Sequence, residues 1–419
     1  MEIQIFLFPM SSVSVLRNIL LTITVSVCGL RAACLPDGVQ QSGAKYRICM
    51  PNGKWNRNLV VYAPGYVPVT GQPVQIPEDQ LVLSDGTSLP TLLNGLGFAF
   101  AVSSFSTNGL AVKQGISDLA DLVSLFDTVS PQGAANKVYI FGPSQGGLIT
   151  ALSLEKFPNL YDGGVAACSP IGSYQGEVNY LGNFWVLFDY FFPGIVPSSP
   201  EQVPLQVLLT WFTQYLPQIQ AAVTANPSAT AQLLKVSGAA FNPLDPSTRL
   251  KTVTDLLSYI VFSINDSRLK LGGRAFDNRT TVYSGSNNDA KLNSEIKRYA
   301  PDAAATNEIK AHYETSGLLT DPLVTLHTIY DPIVPFWHEH RYFTKTVQQG
   351  TSRLFLNVPV LRYSHCRFNA VEALVAFGLL LVKDAGTSSF SSSVEDLLPA
   401  NQRLEFRIRA AAEGLSLTR

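Results

Sequence analysis

Apolar runs alternate with helical patterns in the first part of the chain. Residues 58–66 and 98–105 are apolar runs typical of buried strands. Residues 116–129 instead place their apolar positions along one helical face. The run "KVYIFG", the helix-like "QGGLITALSLEKFP" and the run "GGVAACSP" continue the alternation to residue 170. This order predicts a parallel sheet covered by helices on both faces.

The pattern breaks in the middle of the chain and then returns. Residues 171–321 are mainly helical or irregular in pattern, without further strand-like runs. The alternation resumes in strands at 323–330 and 353–360 and in helices at 337–347 and 368–382. We therefore expect an α/β core formed by residues 34–170 and 322–419, with a largely helical cap inserted over residues 171–321.

The N-terminal segment resembles an export signal. Arg17 precedes the uncharged apolar residues 19–30, and the small residues Ala32 and Ala33 follow. The apolar stretch is too short to span a bilayer comfortably. We expect a signal peptide over residues 1–33, cut after Ala33 or one residue later, no stable membrane anchor after cleavage, and a secreted or periplasmic protein.

Composition and charge exclude some classes of binding partner. The 419 residues are 46% hydrophobic and carry a formal net charge of −1. They contain no dense run of Lys and Arg, so we expect no nucleic-acid partner. Of the five histidines, His338 and His340 form a poor ligand pair without a third donor, and no Cys-x-x-Cys spacing occurs, so no metal site is expected.

The cysteines of an exported chain are candidates for disulfides. Removal of the signal would take away Cys28 and leave four cysteines. Cys34 and Cys49 are separated by Asp-Gly and Ser-Gly pairs that can reverse the chain and bring the two together. The alternative is that they stay unpaired.

A serine lies among glycines between a predicted strand and a predicted helix. Gly142, Ser144 and Gly146 fit the pattern G-x-S-x-G, which forms a sharp strand-to-helix turn with the serine exposed at its tip. Gln145 opens the helix, so its backbone N–H can stabilise an oxyanion. The alternative is a glycine-rich packing turn.

A serine nucleophile needs a histidine base and an acid that orients it. His365 follows the strand that ends near residue 360, and Asp331 follows the preceding strand. Both would lie at the carboxyl edge of the sheet, and the order Ser144, Asp331, His365 is that of an α/β-hydrolase triad. The other histidines are weaker candidates: His327 is expected to pack inside a strand, His312 lies in the insertion, and His338 and His340 are expected on a helix surface.

These segments resemble the α/β-hydrolase superfamily, specifically its secreted esterases. The resemblance covers residues 55–170 and 322–384 and rests on "VYIFGPSQGGLITAL", "TIYDPIVPF" and "YSHCRFNAVEALVAF". It implies hydrolysis of a carboxylic ester through an acyl-enzyme without a cofactor. Ser144 would attack, His365 would transfer the proton, and Asp331 would hold the imidazole.

Two departures from the family pattern matter. Family members commonly carry His-Gly after the first core strand, where this chain has Pro64-Gly65. The second oxyanion donor would then be the backbone N–H of Tyr66. In tannase and feruloyl esterase relatives a cysteine after the histidine bonds to one just before the serine, but Pro143 stands there in this chain. Cys168 is an alternative partner for Cys366, and a pair of free thiols is the other outcome.

The substrate is less well defined. An aromatic block in the insertion, including Phe184, Trp185 and Phe188, could line an acyl or aryl pocket, or could pack the cap against the core. The expected substrate is a small-molecule or polymer-attached ester with an aromatic or medium-sized acyl group. A serine exopeptidase or amidase remains an alternative, for which Glu177 or Asp189 could anchor a peptide terminus. A non-catalytic hydrolase-fold binding protein is the other.

Overall fold

The computed structural model describes residues 33–385, 389–391, 398, 400–414 and 416–418. The expected signal segment, residues 1–33, lies outside the described residues except for Ala33. The strands are β1 Ala33–Cys34, β2 Gly38–Val39, β3 Lys45–Met50, β4 Asn58–Tyr62, β5 Ala99–Ser103, β6 Lys137–Pro143, β7 Gly163–Ala167, β8 Leu323–Tyr330, β9 Phe355–Tyr363, β10 Ser389–Ser391 and β11 Ser416–Thr418. The helices are α1 Leu89–Gly95, α2 Val112–Val129, α3 Gln145–Lys156, α4 Tyr174–Phe191, α5 Leu205–Thr210, α6 Leu216–Ala225, α7 Pro227–Ser237, α8 Thr248–Lys270, α9 Asp289–Glu295, α10 Ala303–His312, α11 Trp337–Gln348, α12 Ala370–Ala385 and α13 Ala400–Ala412.

Within the described residues, nine strands form one sheet. Its order is β1-β3-β5-β4-β6-β7-β8-β9, and β2 pairs with β3. The strands from β5 to β9 are parallel, whereas β3 runs antiparallel to β5. The sheet is therefore mostly parallel, as the alternating pattern predicts, with an antiparallel edge. Because parallel strands share a direction, the residues that follow β6, β8 and β9 emerge at one edge of the sheet.

Both faces of the sheet are buried. Leu59 and Val61 of β4 pack on one face with α2 and α3, and Val60 and Tyr62 pack on the other face with α12. This two-residue alternation places apolar side chains on both sides of the strand, which explains the uninterrupted apolar run in the sequence.

Between β7 and β8 the chain forms seven helices, α4 to α10, and contributes no strand to the sheet. These helices enclose an apolar cluster of their own, in which Trp211 and Phe184 are fully buried. A π-helical turn, Trp211–Tyr215, lies between α5 and α6. None of the helices in the described part of the chain is long and apolar enough to cross a membrane.

Candidate active site

Ser144 lies at a strained turn between β6 and α3. Its backbone has φ 53° and ψ −123°, a conformation that non-glycine residues rarely adopt and that costs about 1–3 kcal/mol. A Cβ at Gly142 would overlap the carbonyl oxygen of Gly146, and a Cβ at Gly146 would overlap that of Ala63. The two glycines are therefore required by close backbone contacts. The Ser144 N–H donates to the Ala167 carbonyl at 2.8 Å, which fixes the turn to β7.

The structure brings Ser144, His365 and Asp331 together. Nε2 of His365 lies 3.0 Å from Oγ of Ser144, and Nδ1 lies 2.8 Å from Oδ2 of Asp331. Nδ1 can donate only if it carries the imidazole proton, so Nε2 is left to accept from the serine hydroxyl. The arrangement can deprotonate the hydroxyl and stabilise the imidazolium that results.

Asp331 is held as an acceptor. Its side chain is fully buried, and its Oδ1 accepts from the backbone N–H groups of Ile333 and Val334 at 2.9 and 3.0 Å. Hydrogen bonds to both oxygens satisfy the carboxylate in the absence of water. The carboxylate is therefore fixed in orientation as well as in position.

A second histidine, which is buried, lies close to Asp331. His327 is buried inside β8, as expected, and its Nε2 donates to the Val334 carbonyl at 2.9 Å. Burial lowers the pKa of His327, but Glu339, 2.7 Å from Nδ1, outweighs burial and leaves that pKa above its ordinary value. Nε2 of His327 is also 3.7 Å from Oδ2 of Asp331. The Nε2–H group of His327 therefore brings partial positive charge close to the Asp331 carboxylate.

The loop after β4 carries the expected second oxyanion donor. A Cβ at Gly65 would lie 3.5 Å from Cβ of Ser144, so this loop passes directly against the serine. Gln80 holds it: Oε1 accepts from the Gly65 N–H at 2.7 Å, and Nε2 donates to the Tyr66 carbonyl at 3.5 Å. Sequence reasoning missed Gln80, because nothing local links it to a loop 14 residues earlier.

The side chain of Gln145 is hydrogen-bonded to the segment that precedes α2. Its Oε1 accepts from the Ala111 N–H at 3.1 Å and its Nε2 donates to the Gly109 carbonyl at 3.2 Å. The backbone N–H of Gln145 lies in the first turn of α3, where the helix dipole is positive. Tyr66 and Gln145 both border the same cleft as Ser144.

A disulfide adjoins the histidine. Cys168 and Cys366 are bonded across a sequence separation of 198 residues, with Cα atoms 5.4 Å apart. Both residues have positive φ, 45° and 52°. The Cys366 sulfur lies 3.5 Å from Nε2 of His365. The bond therefore ties the histidine loop to the end of β7. A second disulfide joins Cys34 to Cys49, one of the two outcomes that the sequence left open.

This cluster does not fit a metal ion. Among the described residues, Cys168, His365 and Cys366 form the one group of three candidate ligands whose donor atoms lie close together. Two of the three donors are sulfurs bonded to each other, and a metal requires thiolates.

The cleft beside Ser144 extends between the sheet edge and the inserted helices. It encloses about 970 Å³ of empty space, counting its open mouth. Its lining is mostly apolar, and α4 and α8 contribute many of its residues. These include Tyr66, Ser144, Gln145, Tyr174, Glu177, Val178, Leu181 and Tyr259, together with the charged Glu201, Arg268 and Arg274. Burial raises the pKa of Tyr66, Tyr174 and Tyr259, so these phenols stay protonated.

The aromatic block expected to line the substrate pocket lies elsewhere. Phe184, Trp185 and Phe188 are at most 2% exposed, belong to the apolar cluster of the inserted helices, and do not border the cleft. They lie in the second half of α4, a helix that packs against α7 and α8. This placement corresponds to the packing alternative. Residues in the first half of α4 border the cleft instead.

His338 also differs from its expected position. It is fully buried on α11, whereas His340 on the same helix is exposed as expected. Nε2 of His338 lies 3.0 Å from Oε2 of Glu177. Neither residue was expected to pair with the other, because the contact depends on how α4 packs on α11.

Known proteins with solved structures resemble this chain only distantly. No protein-family model and no curated protein sequence matches it. Feruloyl esterase B from Aspergillus oryzae is 16% identical over 84% of this chain and 80% of its own, with a TM-score of 0.44. Candida antarctica lipase A in its closed state is 13% identical over 84% and 76%, with a TM-score of 0.44. An acylaminoacyl peptidase of Pyrococcus horikoshii is 12% identical over 80% of this chain, with a TM-score of 0.37, and the match spans only 38% of the peptidase.

The fold itself is clear from the architecture of the chain. The sheet is mostly parallel with an antiparallel edge strand, and helices cover both faces. The serine turn follows β6, the acid follows β8, and the histidine follows β9, all at one edge of the sheet. This arrangement is that of the α/β-hydrolase fold. The expected fold class is therefore confirmed.

Proposed function

We propose that this protein is an exported serine hydrolase that cleaves carboxylic esters through an acyl-enzyme. The observation that carries the proposal is the continuous hydrogen-bonded chain from Asp331 through His365 to Ser144, with 2.8 and 3.0 Å between the heavy atoms. The strained turn holds the hydroxyl at the end of the chain, beside a cleft with mostly apolar walls. These are the components that an activated serine nucleophile requires.

The proposed reaction has two halves. Oγ of Ser144 attacks the ester carbonyl carbon while Nε2 of His365 takes the hydroxyl proton. The backbone N–H groups of Gln145 and Tyr66 stabilise the oxyanion. The imidazolium then gives its proton to the leaving alcohol oxygen as the C–O bond breaks, which leaves the acyl group on Ser144. Water, deprotonated by His365, attacks the acyl carbon and releases the acid and free enzyme.

The test compares ester and amide substrates. The parent is expected to hydrolyse p-nitrophenyl esters and to be labelled at Ser144 by a fluorophosphonate, and Ser144→Ala is expected to lose both. Ser124→Ala is a matched control, because Ser124 is an exposed helix residue whose hydroxyl bonds only to Ala120 within its own helix. Turnover of aminoacyl amides without ester turnover would contradict the ester assignment. Absence of labelling would favour a binding protein.

Neither acidic residue considered for the exopeptidase alternative offers a free charge in the cleft. Asp189 forms an ion pair with Lys297 at 2.6 Å. Glu177 is buried against His338, and burial, with a further contribution from Asp331, raises its pKa well above the ordinary value. The positively charged amino terminus of a peptide would therefore find no counterion at these two positions, which favours the ester proposal over an aminopeptidase that uses them.

Export is the other part of the proposal. Its support is the signal-like segment together with two disulfides, which persist mainly in oxidising compartments. Cys34 can bond to Cys49 in the mature protein only if the cut falls before Cys34. N-terminal sequencing of the exported protein should therefore find a start at Cys34 or upstream. A start at Leu35 would contradict this.

A further inference from the structure

One face of α4 presents a carboxyl group to an otherwise apolar part of the cleft. Tyr174, Glu177, Val178 and Leu181 are spaced at helical intervals and all border the cleft that holds Ser144. Glu177 is only 5% exposed. Acidic side chains are almost never buried unless they have a partner or a function. Each oxygen of the buried Glu177 carboxyl group therefore needs a hydrogen-bond partner.

One of its two oxygens is used by His338. Nδ1 of His338 accepts from the backbone N–H of Gly172 at 3.1 Å, with the Ser173 N–H at 3.4 Å. Nδ1 therefore carries no hydrogen, and the ring proton is on Nε2. Nε2 donates that hydrogen to Oε2 of Glu177 at 3.0 Å. Oε2 is thus an acceptor.

The other oxygen carries the carboxyl proton. Burial raises the pKa of Glu177 well above its ordinary value, and the charge of Asp331 adds to the effect. Burial lowers the pKa of His338 well below its ordinary value, with further contributions from His327, Arg341 and Lys345. The pair is therefore neutral. With Oε2 accepting, the proton resides on Oε1, which is buried and has no hydrogen-bond partner. A buried donor without an acceptor is unusual in a folded protein.

The position of the cleft indicates which part of a substrate would meet this donor. His365 must protonate the leaving alcohol, so the alcohol leaves on the side of His365. The proposed oxyanion donors Tyr66 and Gln145 border the cleft together with Ser144 and Glu177. We therefore place the acyl group, whose carbonyl these donors would bind, in the part of the cleft that contains Glu177.

Building on the proposed function, we propose that Oε1–H of Glu177 donates a hydrogen bond to an uncharged acceptor oxygen in the acyl part of the substrate. An ether, ketone or second ester oxygen within a mainly apolar acyl chain has this chemistry. A carboxylate does not fit beside Glu177, because the charge of Asp331, which already raises the pKa of Glu177, would repel it. The two arginines that border the cleft, Arg268 and Arg274, contact Glu201 instead. A purely hydrocarbon chain would leave the donor unpaired. Glu177 would thus determine specificity.

The experiment uses p-nitrophenyl esters of straight-chain acids and of the same acids with one CH2 group replaced by an ether oxygen at successive positions. We measure kcat/KM for each ether ester and divide it by the value for the corresponding hydrocarbon ester. This ratio is compared between the parent, Glu177→Gln and Glu177→Met. We expect one ether position with a high ratio in the parent. That ratio should fall by about fivefold to tenfold in Glu177→Met.

Glu177→Gln is the matched control. Glutamine keeps an acceptor oxygen for His338 and an N–H donor for the substrate, so the high ratio should be retained. The thioether of methionine keeps a weak acceptor for His338 but offers no donor. Glu177→Leu, which offers neither, should match Glu177→Met in the ratio. A purely structural role of Glu177 would lower the kcat/KM of both esters equally.

Two outcomes would overturn the inference. One is an unchanged ratio at every position in all variants, as expected if Oε1 bonds only to a buried water molecule. The other, which needs no variant, is a ratio below one at every position in the parent, as expected when an ether oxygen is desolvated without a donor. Fluorophosphonate labelling counts active sites in each preparation. Absence from the parent of both this labelling and p-nitrophenyl ester turnover would refute the proposed function instead.

Discussion

The neutral pair formed by Glu177 and His338 has a consequence for stability that differs from its role in binding. The folded protein keeps the Glu177 proton to a higher pH than the unfolded chain does, because burial raises the pKa. Between these two pKa values the unfolded chain binds fewer protons. The free energy of unfolding therefore falls as pH rises, by at most about 1.4 kcal/mol per pH unit.

Glu177→Gln should therefore gain stability relative to the parent as pH increases. Glutamine does not titrate, so the difference in free energy of unfolding is expected to grow in favour of the variant from pH 4 to pH 8. Urea denaturation at several pH values measures it. Glu295→Gln is the control, because Glu295 is exposed on α9 and its substitution should give a nearly constant difference. A constant difference for Glu177→Gln as well would mean that its carboxyl ionises normally.

Gln80 acts as a positioning residue, because it bonds to both sides of the peptide group that carries the Tyr66 N–H. We expect Gln80→Leu to lower kcat by about tenfold to a hundredfold with little change in KM, since only oxyanion stabilisation should suffer. Gln80→Glu keeps the acceptor for the Gly65 N–H and should lose less. Steady-state kinetics on a p-nitrophenyl ester provide the measurement; a raised KM at unchanged kcat would instead indicate a role in substrate binding.

The sequence predicts some of these residues and not others, for a physical reason. Each of the three residues Ser144, Asp331 and His365 follows an apolar run predicted as a strand. Their position at one edge of the sheet therefore follows from the parallel order of the strands alone. Gln80 lies in a 3-10 turn, and His338 lies on a helix whose buried face depends on its partners. Contacts of this kind are set by packing between elements distant in sequence. No local pattern encodes them.

At the scale of elements, the predicted core strands and helices are present with end shifts of a few residues. The strand Leu323–Tyr330 coincides with its predicted run, whereas the last core strand is Phe355–Tyr363 rather than 353–360. Strand β3 was not predicted. Its sequence "KYRICM" begins with three half-buried residues, two of them charged, in the antiparallel part of the sheet, so it lacks the continuous apolar run of the central strands. The π-helical turn likewise has no sequence signal.

The disulfide between Cys168 and Cys366 links the end of one strand to the loop after another. We expect replacement of both cysteines by alanine to lower kcat by about tenfold, because His365 loses an adjacent restraint. In the chain-entropy model the bond also contributes about 5 kcal/mol to stability, against about 3 kcal/mol for the shorter loop closed by Cys34 and Cys49.

The matched control is the double alanine variant at Cys34 and Cys49, which removes a disulfide from the far edge of the sheet. It should lower the free energy of unfolding but leave kcat unchanged. Equal kcat in both double variants and the parent would show that the histidine loop needs no covalent restraint. Kinetics at a temperature well below unfolding separate the two effects.

At the scale of the whole molecule, the sheet and the inserted helices each have an apolar core. Two buried clusters lie on the two faces of the sheet, and a third lies among the helices between β7 and β8. The sequence predicts this division, because strand-like runs stop at residue 170 and resume at 323. It does not predict which insertion side chains face the cleft. Both halves of α4 carry apolar side chains, and the packing of the other helices decides which of them border the cleft.

The covalent topology gives the protein a tolerance to chain breaks. The whole insertion lies between Cys168 and Cys366 in the sequence. A protease that cuts one of its exposed loops therefore produces two polypeptides that stay joined, with the serine on one and the histidine on the other. Under the proposed export, such a nick would not by itself separate Ser144 from His365.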